Sequence, residues 1–195
     1  MKYLYLKFFQ SRNHNYMKRL IYLIYIFLLM AVACNSVGRE YERLAGSRIN
    51  FPNSLQRVEG RDTLPYDFSD EKVRLLIYFD SALCNTCAIS KLGDWKPIID
   101  SAELINPDFE AVFLLSPPRS EYKKVLREMM LHRNDYNIAI DREGAFASRN
   151  SQIPKDSRFH TMLLDRDNRV VVIGDPLYNT TIWNLTKQTL LELQK

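Results

Sequence analysis

The spacing of apolar positions changes several times along the chain, and each change predicts an element. Val73 to Phe79 (VRLLIYF) is a short run of β-formers bounded by Asp70-Glu71 and Asp80-Ser81, which predicts a central, buried strand. Cys84 to Ala102 places Cys87, Ala88, Ile89, Leu92, Trp95, Ile98 and Ile99 close to helical spacing, with Pro97 inside, and predicts a helix kinked at the proline. Phe109 to Leu115 reads as the next strand, closed by Ser116-Pro117-Pro118, and Ser120 to Arg133 as a helix capped by Ser120. Tyr136 to Ile140 is a short strand ended by Asp141-Arg142-Glu143-Gly144, and Ala145 to Asn150 a brief helical turn. His160 to Leu164 and Arg169 to Ile173 flank the turn-rich Asp165-Arg166-Asp167-Asn168 and predict a β-hairpin, followed by an amphipathic helix from Asn179 to Leu193. Upstream, Arg48 to Leu64 holds short alternations (Ile49, Phe51; Leu55, Val58) broken by Pro52-Asn53-Ser54 and Glu59-Gly60, the pattern of one or two edge strands.

The order is therefore β-α-β-α-β followed by ββα. Alternation in the first half implies parallel crossovers, whereas the hairpin is antiparallel. The expected fold class is α/β: a three-layer α/β/α sandwich with a mixed central sheet and N-terminal edge strands.

Composition leaves this picture intact, since 46% hydrophobic and 26% charged residues are ordinary for a globular chain. Charge changes it more. Of 27 Lys and Arg, five (Lys2, Lys7, Arg12, Lys18 and Arg19) lie in residues 1–33 with no acid, which leaves 22 basic against 23 acidic side chains in the rest. The formal charge of +4 thus belongs to the leader, and a near-neutral body has no net field to attract phosphates, so composition argues against nucleic acid as a partner.

The leader reads as an export signal: Lys18-Arg19, then no charge from Leu20 to Ala33, then Cys34. Those 14 uncharged residues would span roughly 21 Å as a helix, short of the ~30 Å hydrocarbon core, so a permanent transmembrane helix is disfavoured. Met17 is the expected start, because residues 1–16 would place an aromatic and basic extension before a complete signal. Residues 34–47 read as a polar tether, with a helical turn at Glu40 to Leu44, and 48–195 as the folded domain.

The candidate chemistry is Cys84-Asn85-Thr86-Cys87, between the end of the strongest strand and the start of a helix. A thiolate at a helix start is stabilised by free N–H groups, and sulfurs at i and i+3 on one turn can form a disulfide. Cys84 is then expected to be the exposed attacking thiolate, and Cys87, one turn in and more covered, the resolving thiol. A structural zinc site needs four ligands, and one CxxC with only His132 and His160 beside it is a poor set, so no metal and no cofactor is expected.

The segment IYFDSALCNTCAISKLGDW and the hairpin FHTMLLDRDNRVVVIGDP resemble the thioredoxin-like superfamily, and more narrowly TlpA-like envelope lipoproteins, over Arg48 to Lys195. Ala31-Val32-Ala33-Cys34 resembles the lipobox of bacterial lipoproteins, with Ala31 where Leu is usual, which implies acylation of Cys34. The resemblance implies a bacterial cell-envelope location, a lipid anchor in a membrane, the body on the extracytoplasmic side, and protein thiols or disulfides and a redox partner protein as partners. Asn35, rather than an Asp, after the acylated cysteine tilts the expectation toward the outer membrane.

The sequence departs from the family pattern at several positions. Leu83 stands where thioredoxins have Trp, and Asn85-Thr86 replace Gly-Pro. Phe159-His160-Thr161 holds no proline where the family's cis-proline falls, and Tyr78 stands where its buried carboxylate is expected. Two helpers are therefore candidates: Asp80, the nearest acid, and His160, which either faces Cys84 as a general base or points outward from a half-exposed strand. Phe159 and Trp95 read as packing residues. Two functions stay open: a membrane-anchored periplasmic thiol-disulfide oxidoreductase working through Cys84 and Cys87, and a non-catalytic lipoprotein of the same fold with a structural disulfide, serving as a binding or structural component. The intact CxxC favours the enzyme, and the missing proline and carboxylate favour the alternative.

Overall fold

The computed structural model describes residues 17–26, 37–59, 62–68, 71–131 and 136–194. Cys34, Asn35, the lipobox, His132 and residues 1–16 lie outside the described residues. The chain divides into two compact units, Met1–Glu42 and Arg43–Lys195. In the first, residues 17–26 are helical and exposed. Among the described residues no helix is long and apolar enough to cross a membrane.

The second unit is built on a seven-stranded sheet among the described residues. Its strands are β1 (Gln56–Glu59), β2 (Asp62–Pro65), β3 (Val73–Phe79), β4 (Phe109–Leu115), β5 (Asn137–Ile140), β6 (Thr161–Leu164) and β7 (Val170–Ile173). They lie in the order β2-β1-β5-β4-β3-β6-β7. Parallel pairing joins β3 to β4 and β4 to β5, and antiparallel pairing joins β1 to β2, β1 to β5, β3 to β6 and β6 to β7. The mixed sheet with N-terminal edge strands is the architecture that the apolar pattern predicts.

The central strand explains why the sandwich has three layers. Successive side chains of a strand point to opposite faces. In β3, Leu75 and Ile77 enter one hydrophobic cluster, while Leu76 and Tyr78 enter the other. The first cluster is closed by Ala88, Ile89, Leu92, Ile99, Val125 and Leu190 from helical segments. The second is closed by Leu44, Ile49, Phe146 and Phe159. Because both faces are covered, β3 reads from Leu75 to Phe79 as a continuous apolar and aromatic run rather than an alternating one.

Three boundaries differ from the pattern reading. The stretch after Cys84 is not one kinked helix: α1 (Asn85–Ser90) is followed by a 3-10 turn (Leu92–Trp95) and by α2 (Lys96–Ile105). Pro97 sits in the first turn of α2, where its missing N–H costs nothing, so the proline starts a helix instead of kinking one. Helix α3 (Tyr122–Leu131) begins after Ser120, because Glu121 N–H first closes a turn onto Pro118 O at 2.9 Å. The end of the presumed tether is folded. Leu44 is fully buried, and Gly46 and Ser47 pair with Val170 (2.9 Å each), so ordered packing starts before Arg48. Elsewhere the helical turn α4 (Ala145–Arg149) and the closing helix α5 (Thr180–Leu193) fall where expected, α5 being capped by Asn179 Oδ1 accepting from Thr181 and Ile182 N–H.

Candidate functional site

The site forms where β3 ends. Phe79 O accepts Ser116 N–H (2.8 Å), which fixes the end of β3 against the chain leaving β4. The next residues turn sharply. Asp80 Oδ1 accepts Ala82 N–H (2.9 Å) and Leu83 N–H (3.2 Å), the local bonding that favours Asp in turns. From the far side of the turn, Asn85 Nδ2 donates to Asp80 O (3.1 Å) and Leu83 O (3.0 Å). Asn85 is fully buried. Four side-chain to backbone hydrogen bonds thus close residues 80–85 on themselves and present Cys84.

Cys84 is the N-cap of α1, with extended backbone, and its Sγ accepts Cys87 N–H at 3.3 Å. Cys84 and Cys87 form a disulfide with Cα atoms 5.2 Å apart. Thr86 Oγ1 lies 3.6 Å from Cys84 Sγ. Both cysteines are exposed, Cys87 as well as Cys84. The reason is helical geometry: α1 buries Asn85, Ala88 and Ile89, at i, i+3 and i+4, which leaves Cys84 and Cys87 on the solvent flank.

The two candidate helpers have other partners. Asp80 organises the turn through its contacts with Ala82 and Leu83 N–H. His160 is 3% exposed and terminates a 3-10 turn (Ser157–Phe159), so it is not the outward residue of a half-exposed strand. Its Nε2 lies 2.9 Å from Pro154 O, and since a carbonyl only accepts, the ring proton sits on Nε2. Nδ1 is buried without a hydrogen-bond partner among the described residues. The imidazole lies 5.0 Å from the Tyr78 ring, and His160 O accepts Tyr78 N–H (2.9 Å). His160 thus bonds Pro154 O through its ring and packs beside Tyr78. No peptide bond among the described residues is cis.

Tyr78 belongs to a polar chain that sequence reasoning missed. Ser116 Oγ donates to Asp141 Oδ2 (3.2 Å), and Asp141 also accepts Ala145 N–H (3.0 Å) and Phe146 N–H (2.8 Å). Burial pushes the Tyr78 phenol above its usual range, its bond with Ser116 opposes this, and the charges of Asp80 and Asp141 add to the rise. A neutral phenol therefore occupies the place where the resemblance expects a carboxylate. The usable signal for Asp141 was its position at the end of a strand just before a helical turn, the pattern of an N-terminal cap. Trp95 and Phe159 are buried in the two clusters, as packing residues. Among the described residues no three His, Cys, Asp or Glu side chains gather as a metal site.

No protein-family model matches the chain, and no curated protein matches it. Solved structures do. A Bacteroides thetaiotaomicron protein provisionally assigned as a protein disulfide isomerase matches at 20% identity and a TM-score of 0.51, over 77% of this chain and 89% of that one. An Aquifex aeolicus protein provisionally assigned to electron transfer matches at 11% identity and a TM-score of 0.51, over 77% and 98%. A thioredoxin-like protein from Bacteroides caccae matches at 14% identity with a TM-score of 0.47, over 84% of this chain and 55% of that one. At these identities the likeness is one of fold, and the fold of residues 43–195 is thioredoxin-like.

Proposed function

We propose that the protein is a thiol-disulfide oxidoreductase of the bacterial envelope, exchanging electrons with protein dithiols and disulfides through Cys84 and Cys87. The observation that carries this reading is the exposed Cys84–Cys87 disulfide, with Cys84 Sγ at the cap of α1 and accepting a backbone N–H.

When the protein acts as reductant, the Cys84 thiolate attacks a disulfide of the partner. The partner's S–S bond breaks, a Cys84–partner mixed disulfide forms, and one partner sulfur leaves as a thiolate and takes a proton. Deprotonated Cys87 then attacks Cys84 Sγ, which forms the Cys84–Cys87 bond and expels the second partner thiolate. Two electrons pass to the partner with two protons. Oxidation of a partner dithiol runs through the same mixed disulfide in reverse. Cys87 N–H stabilises the Cys84 thiolate in either direction, and the closed turn 80–85 holds the sulfur outward.

The location completes the proposal. Residues 17–33 serve as an export signal and Cys34 as the acylated anchor of a TlpA-like lipoprotein; the acyl chains hold the body at a membrane surface, with the outer membrane favoured. A disulfide with both cysteines in solvent suits an oxidising compartment.

The test is the reduction potential of the pair in the full chain, from alkylation and mass spectrometry across a thiol-disulfide buffer series. A potential between about −120 and −270 mV, the span of known exchange proteins, is expected and also sets the working direction. A value below about −300 mV would make the bridge structural and overturn the oxidoreductase reading. For the anchor, Cys34→Ala is expected to abolish labelling by a fatty-acid analogue; unchanged labelling would remove the lipoprotein assignment.

A further inference from the structure

On the face of the sheet that Leu76 and Tyr78 enter, three aromatic rings are stacked. The Phe51 and Phe68 centroids lie 4.0 Å apart with planes within 3°, and Tyr66 stacks on Phe68 at 4.4 Å. All three are half-buried, and they line a cavity of about 610 Å³, a size ordinary for small-molecule sites. This cavity is remote from the disulfide, because Phe68 contacts Arg74 near the start of β3 whereas Cys84 follows its end. Hydrogen bonds fix the cavity wall. Asn50 N–H and O bond the side chain of the buried Asn150 (2.8 and 2.9 Å), Gln152 Nε2 donates to Arg48 O (3.0 Å), and Ile49 N–H donates to Asn168 O (2.8 Å). The charges of the lining do not balance. Arg48 and Arg149 line it, exposed, and neither has an ion-pair partner among the described residues. Asp67 is the acid of the lining, so two cations face one anion. Arg74, against the Phe68 ring, is already bound by Glu110 and Asn168.

We propose that this cavity is a binding site for a small carboxylate that carries a ring, the ring lying against Phe51, Phe68 and Tyr66 and the carboxylate taken by Arg48 and Arg149. The half-exposed rings favour a ligand that removes their remaining apolar surface from water. A guanidinium offers paired N–H donors that match the two oxygens of a carboxylate. A neutral ring would leave both cations as they are, and a ringless anion would leave the aromatic wall in water. Two kinds of molecule share the required chemistry: an aromatic acid, and a sugar acid whose C–H face takes the place of the aromatic one. The exposed Asn50 and Asn53, which also line the cavity, distinguish them, since side-chain amides both donate to and accept from hydroxyls, which only the sugar offers. This binding is independent of the redox reading and needs neither cysteine.

The experiment follows amide NMR spectra of the full-length protein during addition of benzoate, glucuronate, their neutral amides benzamide and glucuronamide, and acetate. A saturable shift centred on residues 48–53 and 65–68 is expected with at least one of the two ring carboxylates. The matching amide is expected to bind at least about tenfold more weakly, as is acetate. Saturation by benzoate alone assigns an aromatic acid, by glucuronate alone a sugar acid, and by both a site that reads only the shared chemistry. Arg48→Gln and Arg149→Gln, at exposed positions, are each expected to weaken binding about tenfold at an unchanged urea midpoint. Phe51→Leu, which removes the ring and keeps an apolar side chain, is expected to weaken it several-fold. Absence of a saturable shift with both ring carboxylates would overturn the proposal. So would equal affinity for a carboxylate and its amide, equal affinity for acetate, or wild-type binding by both arginine variants.

Discussion

Strand β3 has polar groups at both ends, and the two ends behave differently. Near its start, Arg74 is fully buried; its Nε bonds Glu110, its Nη1 donates to Asn168 Oδ1 (3.2 Å), and the guanidinium lies 5.6 Å from the Phe68 ring. Lys72 adds a second cation 3.6 Å from Glu110. Each of these charges is answered within the protein. At the other end, the Asp80 carboxylate accepts Ala82 and Leu83 N–H and the Asn85 amide donates to Asp80 and Leu83 O, yet the disulfide this turn presents is open to solvent. A buried charge with a complete partner set ties elements together. A reactive group is one whose surroundings are satisfied while it is itself left accessible.

The largest expected effect on this contrast comes from the cysteines. Cys84→Ser should abolish exchange with a protein disulfide, while Cys87→Ser should trap a mixed disulfide, visible as an added partner mass. Neither should cost much stability. A bridge closing a loop this short contributes about 2 kcal/mol at most, so reduction should move the urea midpoint modestly. At the opposite end the pattern reverses: Arg74→Ala should destabilise by about 3 kcal/mol, since it empties a fully buried site and leaves the mostly buried Glu110 with Lys72 alone, and leave the alkylation rate of Cys84 unchanged. A large change in that rate would mean that the two ends of β3 are coupled rather than independent.

Asn85→Ala tests the turn itself. It removes the side-chain donor from Leu83 O and from Asp80 O, the latter keeping Leu83 N–H at 3.3 Å, and a loss of about 1 kcal/mol in urea unfolding is expected, together with faster amide exchange over residues 80–84. The smallest effect is at Asp156, whose carboxyl is held at about 2, against 3.8 ordinarily, chiefly by the Arg158 side chain. A depressed folded pKa contributes stability that is complete above pH 3.8 and is lost as pH falls through about 2. A carboxyl titration by NMR should give that midpoint in wild type and an upward shift in Arg158→Ala.

How much of this could be read in the sequence follows from the range of the forces involved. Val73–Phe79, Phe109–Leu115 and the hairpin strands were legible because an apolar run between turn residues is a local signal. Pro97 misled because its ring is compatible both with a kink and with a helix start, and only the packing of Leu92 and Trp95 decides between them. Arg74 gave no sign of its burial. Its partners are 36 and 94 residues away, a separation that no local pattern encodes.

At the site, the identity and spacing of Cys84 and Cys87 came from the sequence, as did their place at a helix start after a strand. The sequence also determined that Tyr78 and His160 stand where the resemblance expects a carboxylate and a proline. Which side chains face which was decided only by the tertiary structure. The packing of α1 turned Asn85 inward, Thr86 toward the sulfur and Cys87 to solvent, and the turn before β6 directed His160 to Pro154 and Tyr78. The physical reason is that a residue's chemistry is covalent and local, whereas its accessibility and hydrogen-bond partners depend on segments that meet only when the sheet is assembled.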